Sequence, residues 1–298
     1  MRNVSLRQLS FLAETARAGS LAGAAAELHV TAPAIAQQLR ILERGVGLPL
    51  IERGPRGQQL TEAGRFLYLA YERIAAELEA VSEDLDALRD AHTGTVHVGA
   101  VSTSKYFTPY VIAAFRRRHP EVQVSLSVGN RDEVIDLLEG FHIDFAIMGR
   151  PPQRLDVVAE EFGDHPYVII ASPSHRLANE KSLTRARIAG ERFLAREPGS
   201  GTHQHLMDLF DDTPEIASVI ASNETIKQAT MAGLGVALIS GHTVAAEVGD
   251  GRLVVLDVAG LPIMRHWLLV RMSRRAVSPA AQALWHFALT EAEAMLPR

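Results

Sequence analysis

Between Leu67 and Leu88 the apolar side chains Leu67, Tyr71, Ile74, Leu78, Val81, Leu85 and Leu88 recur with spacings that alternate between four and three. That is a heptad seam along one face of an α-helix. Thr61 and Glu62 suit its start, and neither Gly nor Pro interrupts it after Gly64. The spacing therefore predicts one helix over 61–91, on the order of 45 Å long. So narrow a stripe on so long a helix calls for a partner helix, with those residues as the dimerising set. The alternative is packing on the chain's own body. In either case the helix separates a head, 1–60, from a body, 92–298, in a chain too long for one ordinary domain.

The head reads as short helices followed by a hairpin. Leu6, Leu9, Phe11 and Leu12 begin one apolar face. Ser20 is placed to cap the alanine-rich run Leu21–Leu28, and His29-Val30 make a tight connection. Thr31 then caps a helix with Pro33 in its first turn and Ile35, Leu39 and Leu42 on one side. Apolar stretches on either side of Gly54-Pro55-Arg56-Gly57 predict a β-hairpin with a basic tip. Two short helices joined by a tight turn, with Ala24 and Ala25 permitting close approach, have helix-turn-helix geometry. The second such helix fits the major groove of DNA. Arg53 and Arg56 suit adjacent phosphates.

Charge distribution agrees. The formal net charge is -5, but residues 1–60 hold seven Arg and four Glu (+3), leaving 23 basic and 31 acidic residues (-8) for the rest. A basic head on an acidic body is expected where only one end meets phosphates. Arg2, Arg7, Glu14 and Arg17 break up the opening apolar pattern, which excludes a secretory signal. No apolar run approaches the roughly 18 residues of a membrane span. The absence of cysteine excludes disulfides, thiolate metal sites and cysteine nucleophiles. A cytoplasmic protein with no membrane partner is expected.

From Thr93-Gly94 the pattern changes. Val96–Val101, Val122–Val128 and Ile143–Met148 read as strands, separated by helical Pro109–Arg118 and Asp132–Leu138. That is βαβαβ and predicts a parallel sheet covered on both faces. Val157–Phe162 and Tyr167–Ala171 continue as strands. Alternation persists through Phe193–Ala195, Thr202–Phe210, Ala217–Ala221, Ile226–Ala232, Val236–Ser240 and Leu253–Leu256, to a last strand at Trp267–Val270 and a closing helix at Ala280–Glu293.

The head resembles the winged-helix domain of LysR-type transcriptional regulators. The matching residues are Gly19-Ser20, Ala24-Ala25, Leu28, Val30-Thr31, Pro33-Ala34-Ile35, Leu39, Leu42-Glu43, Gly47-Leu48, Leu50, Arg53 and Leu60-Thr61-Glu62-Ala63-Gly64. The resemblance extends along the chain, with the family's late motif at Ala232-Gly233-Leu234-Gly235-Val236-Ala237-Leu238-Ile239. It implies an α/β protein with an all-α-dominated winged helix-turn-helix (1–60), a linker helix (61–91) and an effector domain (92–298) like a periplasmic binding protein. Its lobes are expected at 92–162 with 266–298 and at 163–265. The resemblance places Ser20, Thr31, Pro33, Gln37, Gln38, Arg40, Arg53 and Arg56 at the DNA. Ala22 and Ala36 stand where the family usually has a hydroxyl, and Ala32 where Gln is frequent, so the bases read are left open.

In such receptors ligands bind at the carboxyl ends of strands and at helix N-termini. Four stretches fall there: Ser102-Thr103-Ser104-Lys105, Gly129-Asn130-Arg131, Gly149-Arg150, and Glu197–Thr202 in the other lobe. Ser102, Thr103, Lys105, Asn130, Arg131, Arg150, Ser200, Gly201 and Thr202 are the effector candidates. Hydroxyls, exposed amides, one Lys and two Arg suit a phosphorylated or carboxylated metabolite; the plainer alternative makes the hydroxyls N-caps and the arginines surface ion pairs. The runs VSTSKYFTP, RRRHPEVQVSLSVGNRDEV and IDFAIMGRPP resemble the family branch that regulates Calvin-cycle carbon-fixation operons, the CbbR branch. That implies a sugar phosphate or phosphoglycolate-like effector rather than a cofactor. It also implies double-stranded operator DNA, a homo-oligomer built as a dimer of dimers, and RNA polymerase as a further partner. A family member of another pathway sensing a carboxylate is the alternative.

The rival classes are an enzyme acting on a phosphometabolite and a plain solute-binding module. Pro198–Thr202 lacks the Gly-Lys-Ser/Thr ending of a P-loop, and no glycine stands three residues beyond Gly235 to complete a dinucleotide fingerprint. Gly199-Ser200-Gly201 has the wrong spacing for a nucleophile elbow. His203 and His205 lack a metal-ligand companion. A solute-binding module leaves residues 1–92 without a role.

Overall fold

The structure, a computed structural model, describes residues 4–54, 57–89, 94–210 and 214–297. It comprises two compact units that part between Val81 and Ser82.

The first unit contains α1 (Leu6–Ala18), α2 (Leu21–Glu27), α3 (Ala32–Val46), the hairpin β1 (Ile51–Gly54) with β2 (Gly57–Leu60), and most of α4 (Glu62–Arg89). A capping box between Ser5 and Gln8 starts α1, and Gly19 ends it at φ 64°. Ser20 caps α2 as the sequence predicts, its Oγ accepting from the Gly23 amide at 3.0 Å. Thr31 is the N-cap residue of α3 but makes no side-chain cap bond. The turn between these helices holds His29 at φ 53°, which brings the Val30 amide back to the Ala25 carbonyl at 3.0 Å. Leu9, Phe11, Leu12, Ala24, Ala25, Ile35, Leu39, Leu42 and Leu50 form the core.

One side-chain and one backbone hydrogen bond pin the hairpin to this core. Glu43 accepts from the Leu50 amide at 2.9 Å, and the Gln58 amide donates to the Gly19 carbonyl at 2.8 Å. A Cβ on Gly57 would lie 2.4 Å from that carbonyl oxygen, and one on Gly64 2.0 Å from the Leu50 carbonyl oxygen.

The structure divides the predicted seam. Leu67 and Tyr71 pack against the core of their own unit, because the first turns of α4 close over the helix-turn-helix. Ile74, Leu78 and Val81 are 40%, 55% and 47% exposed and remain open to a partner. Leu85 and Leu88 continue the helix backbone, which is described as far as Arg89; residues 90 and 91, the side chains of Leu85 and Leu88, and Arg56 between the hairpin strands lie outside the described residues.

The second unit opens with β3 (Gly94–Val101), α5 (Thr108–Arg118), β4 (Val122–Gly129), α6 (Arg131–Glu139) and β5 (Phe145–Met148). β3 runs parallel to β4 on one side and β5 on the other, the predicted βαβαβ. β6 (Val157–Ala171) follows, then α7 (Arg185–Ala189), β7 (Phe193–Ala195), α8 (Gly201–Leu209), β8 (Ile216–Val219), α9 (Asn223–Met231), β9 (Ala237–Ser240), α10 (Gly241–Gly249), β10 (Val254–Val255), β11 (Ile263–Met272) and α11 (Pro279–Glu291). β6 and β11 pair antiparallel along their length, from Val157↔Met272 to Tyr167↔Ile263. One core gathers on β3, β4, β5, α5, α6 and α11 and reaches Phe162 and Trp267. Beyond that point Tyr167, Ile169 and Ala171 enter a second core, while Val168 and Ile170 enter a third on the opposite sheet face, as strand alternation requires.

Two expectations are corrected. The strands predicted at 157–162 and 167–171 are one strand, and the last strand begins at Ile263 rather than Trp267. Gly163 and Pro166 lie inside β6, where the ribbon has only two strands, since β9 joins from Tyr167. A proline is tolerated on an open strand edge. α7, of five residues, and α10, bounded by Gly241 and Gly249, are additional to the expected elements.

Gly64→Ala is expected to destabilise the first unit by roughly 2 kcal/mol, since backbone must move. Gly45→Ala, where a Cβ meets nothing within 4 Å, is expected to stabilise it by about 0.5 kcal/mol. Thermal unfolding of the two variants checks both signs.

Candidate functional site

Two surfaces carry the chemistry. On the first unit, Thr31, Pro33, Gln37 and Arg40 are exposed on α3, and Arg53 is exposed on the hairpin. Arg44 extends the α3 stripe by one further turn, a cation the sequence reading passed over although its i+4 spacing from Arg40 was visible. Ser20 is exposed at the start of α2 with its side chain engaged as the cap. Gln38 is different. Its amide oxygen accepts from the Gln8 side chain at 3.1 Å, which ties it to α1 and leaves Gln37 as the free glutamine of α3.

The second surface is a cavity of about 990 Å³ in the second unit. It lies where β3, β4 and β5 end and α8 begins. Ser102, Thr103, Arg131, Arg150, Ser200, Gly201 and Thr202 all line it, so the topology brings together seven of the nine effector candidates. Ser200 and Thr103 occupy cap positions but make no side-chain cap bonds, which leaves their hydroxyls for a ligand. Thr202 hydrogen-bonds the Tyr167 hydroxyl in the cavity floor. The lobes approach closely: a Cβ on Gly199 would lie 2.9 Å from Asp132 Oδ2, and one on Gly201 3.8 Å from Arg131 Cδ.

Two candidates lie elsewhere. The Asn130 side chain accepts from the Glu133 amide at 2.9 Å in a capping box, so it serves α6. Lys105 does not line the cavity; its Nζ lies 5.2 Å from the Tyr106 ring centroid. Tyr106 in turn hydrogen-bonds Glu224 of α9. A charge at a strand end signals a ligand only if the turn points it inward, and the short 3-10 turn at Ser104–Tyr106 points Lys105 away.

One wall of the cavity gathers arginines among carboxylates. Arg131 donates to the Pro151 carbonyl at 3.2 Å, sits 3.8 Å from Asp132, and keeps its Nε buried without a partner. Burial lowers its pKa, as do Arg150 and Arg154, against the pull of Asp132. Arg154 is paired with Asp136 at 3.1 Å and Glu139 at 3.0 Å. Arg150 makes no ion pair among the described residues. Three guanidinium groups thus share one wall with the carboxylates of Asp132 and Asp136, a donor set that suits an acceptor oxygen. Sequence reading missed Arg154, although it follows Arg150 by four residues in the same loop. It also missed Tyr167 and His205, which reach the cavity only through the tertiary fold.

Behind the cavity lies an aromatic cluster on the crossing strands. His165 stacks on Trp267 at 3.6 Å and 11°, and its ring centroid lies 4.4 Å from Tyr167 and 6.2 Å from His242. Trp267 Nε1 donates to His242 Nδ1 at 3.0 Å. His165 is fully buried and neither ring nitrogen has a partner. Burial holds its pKa well below the ordinary value, with His242 and His205 adding to the effect. Burial also lowers His205 and His242.

A helix-turn-helix with a basic wing, followed by a long helix and an α/β receptor with an arginine-lined cavity, defines a ligand-responsive DNA-binding regulator. Residues 6–65 match the model of the bacterial regulatory helix-turn-helix proteins of the lysR family, and residues 89–293 match the LysR substrate binding domain. The chain belongs to the LysR family of transcriptional regulators. It is 45% identical over 299 residues to the regulator CbbR of Xanthobacter flavus, covering 99% of this chain and 90% of that protein. It is 42% identical to the regulator CfxR of Cupriavidus necator, covering 100% and 95%. These relatives are named as regulators, not enzymes. Among solved structures, the regulatory domain of CcmR from Synechocystis in complex with 2-PG (2-phosphoglycolate) is 29% identical with a TM-score of 0.64, covering 67% of this chain and 98% of that one. Full-length CbnR complexed with its target DNA shares the fold, with 21% identity, a TM-score of 0.68, and 97% and 100% coverage. No helix among the described residues is long and apolar enough to cross a membrane.

Because the folded pKa of His165 lies below its ordinary 6.5, the unfolded chain binds the extra proton first on acidification. The stability this histidine contributes is full above about pH 6.5 and is lost as pH falls below it. His165→Phe keeps the stack and forfeits no hydrogen bond. It is expected to unfold like the parent at about pH 7.5 and to lose less stability than the parent at about pH 5.5, as calorimetric thermal midpoints at the two pH values will show.

Proposed function

We propose that this LysR-family regulator controls carbon-fixation genes in response to a small phosphorylated anion seated between its lobes. The observation that carries this reading is the convergence of Arg131, Arg150 and Arg154 with the hydroxyls of Ser102, Thr103 and Ser200 in one cavity. A dianion meets bidentate donors there and has the N-terminus of α8 beside it. The relatives named for carbon-fixation operons and the CcmR domain with 2-phosphoglycolate support the same reading.

At the DNA, α3 enters the major groove. Gln37 and Arg40 face base edges, Thr31 and Pro33 lead the helix in, and Arg44 and Arg53 meet phosphates. Gln38, tied to Gln8, positions α3 rather than reading a base. Ile74, Leu78 and Val81, with Leu85 and Leu88, pair α4 with a second copy, so the operator is a partial palindrome with half-sites about one helical turn apart. Two such pairs assemble as a tetramer, and RNA polymerase is the downstream partner. The effector acts through its difference in affinity for two lobe arrangements.

Calorimetry with 2-phosphoglycolate tests the effector. Arg131→Ala and Arg150→Ala are each expected to weaken binding ~10-fold or more, whereas Lys105→Ala changes it less than ~3-fold. Stronger binding of plain carboxylates than of 2-phosphoglycolate would replace the phosphorylated effector by a carboxylate one. Gel shifts on dyad-symmetric against random duplex test the DNA face. Affinity is expected to fall steeply with salt as counterions are released, and Arg53→Ala to reduce the slope by about one phosphate contact. A slope near zero would remove α3 and the hairpin from the DNA.

A further inference from the structure

The cavity is bordered by a buried network that the anion site alone does not require. Arg196 is 2% exposed, and so is Asn223 at the start of α9. The Arg196 fork is held by Glu197, with Nε to Oε2 at 2.7 Å and Nη2 to Oε1 at 2.7 Å. Its remaining nitrogen, Nη1, donates to Asn223 Oδ1 and, at 3.1 Å, to Ser102 Oγ. Asn223 Nδ2 lies 3.5 Å from the same Ser102 oxygen. Ser102 stands at the end of β3 in one lobe; Arg196 and Asn223 belong to the other.

The hydrogen-bond roles in this network follow from chemistry. A guanidinium has donors only. The Asn223 amide must therefore turn its oxygen to Arg196 and its NH₂ to Ser102. A hydroxyl oxygen has two lone pairs and one proton. Ser102 Oγ accepts from both lobe-bridging donors, and no acceptor among the described residues takes its proton. Ser102 lines the cavity, so the proton is left for whatever binds there.

We infer that Arg196 and Asn223 are positioning residues that make Ser102 an obligatory hydrogen-bond donor, so the effector presents an acceptor oxygen, phosphate or carboxylate, at that end of the cleft. A ligand hydroxyl donating there meets an oxygen whose lone pairs are already engaged. The seat exists only while α9 and the strand end before Arg196 are docked against β3, so occupation of Ser102 reports lobe closure directly. This rests on the cleft reading of the effector given above.

The test uses the full chain, with 2-phosphoglycolate as probe and titration calorimetry as readout. Ser102→Ala is expected to weaken binding ~10-fold. Asn223→Asp is nearly isosteric but offers Ser102 an acceptor, turning the hydroxyl inward, and a loss of similar size is expected. In the Ser102→Ala background, Asn223→Asp has no hydroxyl to turn and is expected to change the dissociation constant less than ~3-fold, a non-additivity that a purely structural or purely Coulombic role does not give. Ser102→Thr, which keeps the hydroxyl, should retain binding. Operator gel shifts and unliganded thermal midpoints report folding, and Ser102→Ala, a one-atom deletion, keeps the question answerable should Asn223→Asp unfold. Binding by the parent with Ser102→Ala unaltered, or losses that multiply in the double variant, would overturn this inference and leave the cleft reading intact. A parent with no affinity for the probe would overturn both.

Discussion

The antiparallel pairing of β6 with β11 is the constraint on which the second unit depends. Both strands leave one core, cross side by side past Gly163 and Arg265, and enter the next. Because the crossing is a ladder of backbone hydrogen bonds rather than a pair of loose linkers, the lobes are held at a common hinge and the ends of β3, β4 and β5 open toward α8. A cavity at that place is the usual consequence of sheet topology. What is particular to this chain is its lining, where Arg131, Arg150 and Arg154 meet the hydroxyls of Ser102, Thr103, Ser200 and Thr202. The histidine and tryptophan stack of the crossing strands lies behind that lining.

Much of this was legible in the sequence because the relevant signals are local. Ser20, Pro33 and the spacing of Ile35, Leu39 and Leu42 announce helices through capping and periodicity, and those helices are present with nearly the expected bounds. The carboxyl ends of β3, β4 and β5 could be placed because alternating apolar runs mark parallel strands, and most of the cavity lining followed from them. Lys105 and Asn130 departed because a residue at a strand end has two outlets. The local turn decides between ligand and cap, and that turn is set by hydrogen bonds such as those between Asn130 and Glu133. Arg196, Asn223, Tyr167 and His205 carry no sequence signal of their own. Each is polar or aromatic beside an apolar run, and only the meeting of lobes distant in sequence gives it a partner. The break expected between 162 and 167 is absent for a related reason: Gly163 and Pro166 stand where only two strands run side by side.

The first unit shows how one helix can answer two demands. The stripe of α4 has the regularity of one seam, but Leu67 and Tyr71 are spent on the reader's own core before Ile74, Leu78 and Val81 are offered outward. The rod and the reader are consequently one solid piece at their junction. A partner helix that slid by a heptad along α4 would have to displace the lid of the helix-turn-helix to do so. In the paired arrangement proposed above, the separation of the two reading heads would be ruled off from a fixed zero mark, and any elasticity in their span would come from farther along the rod.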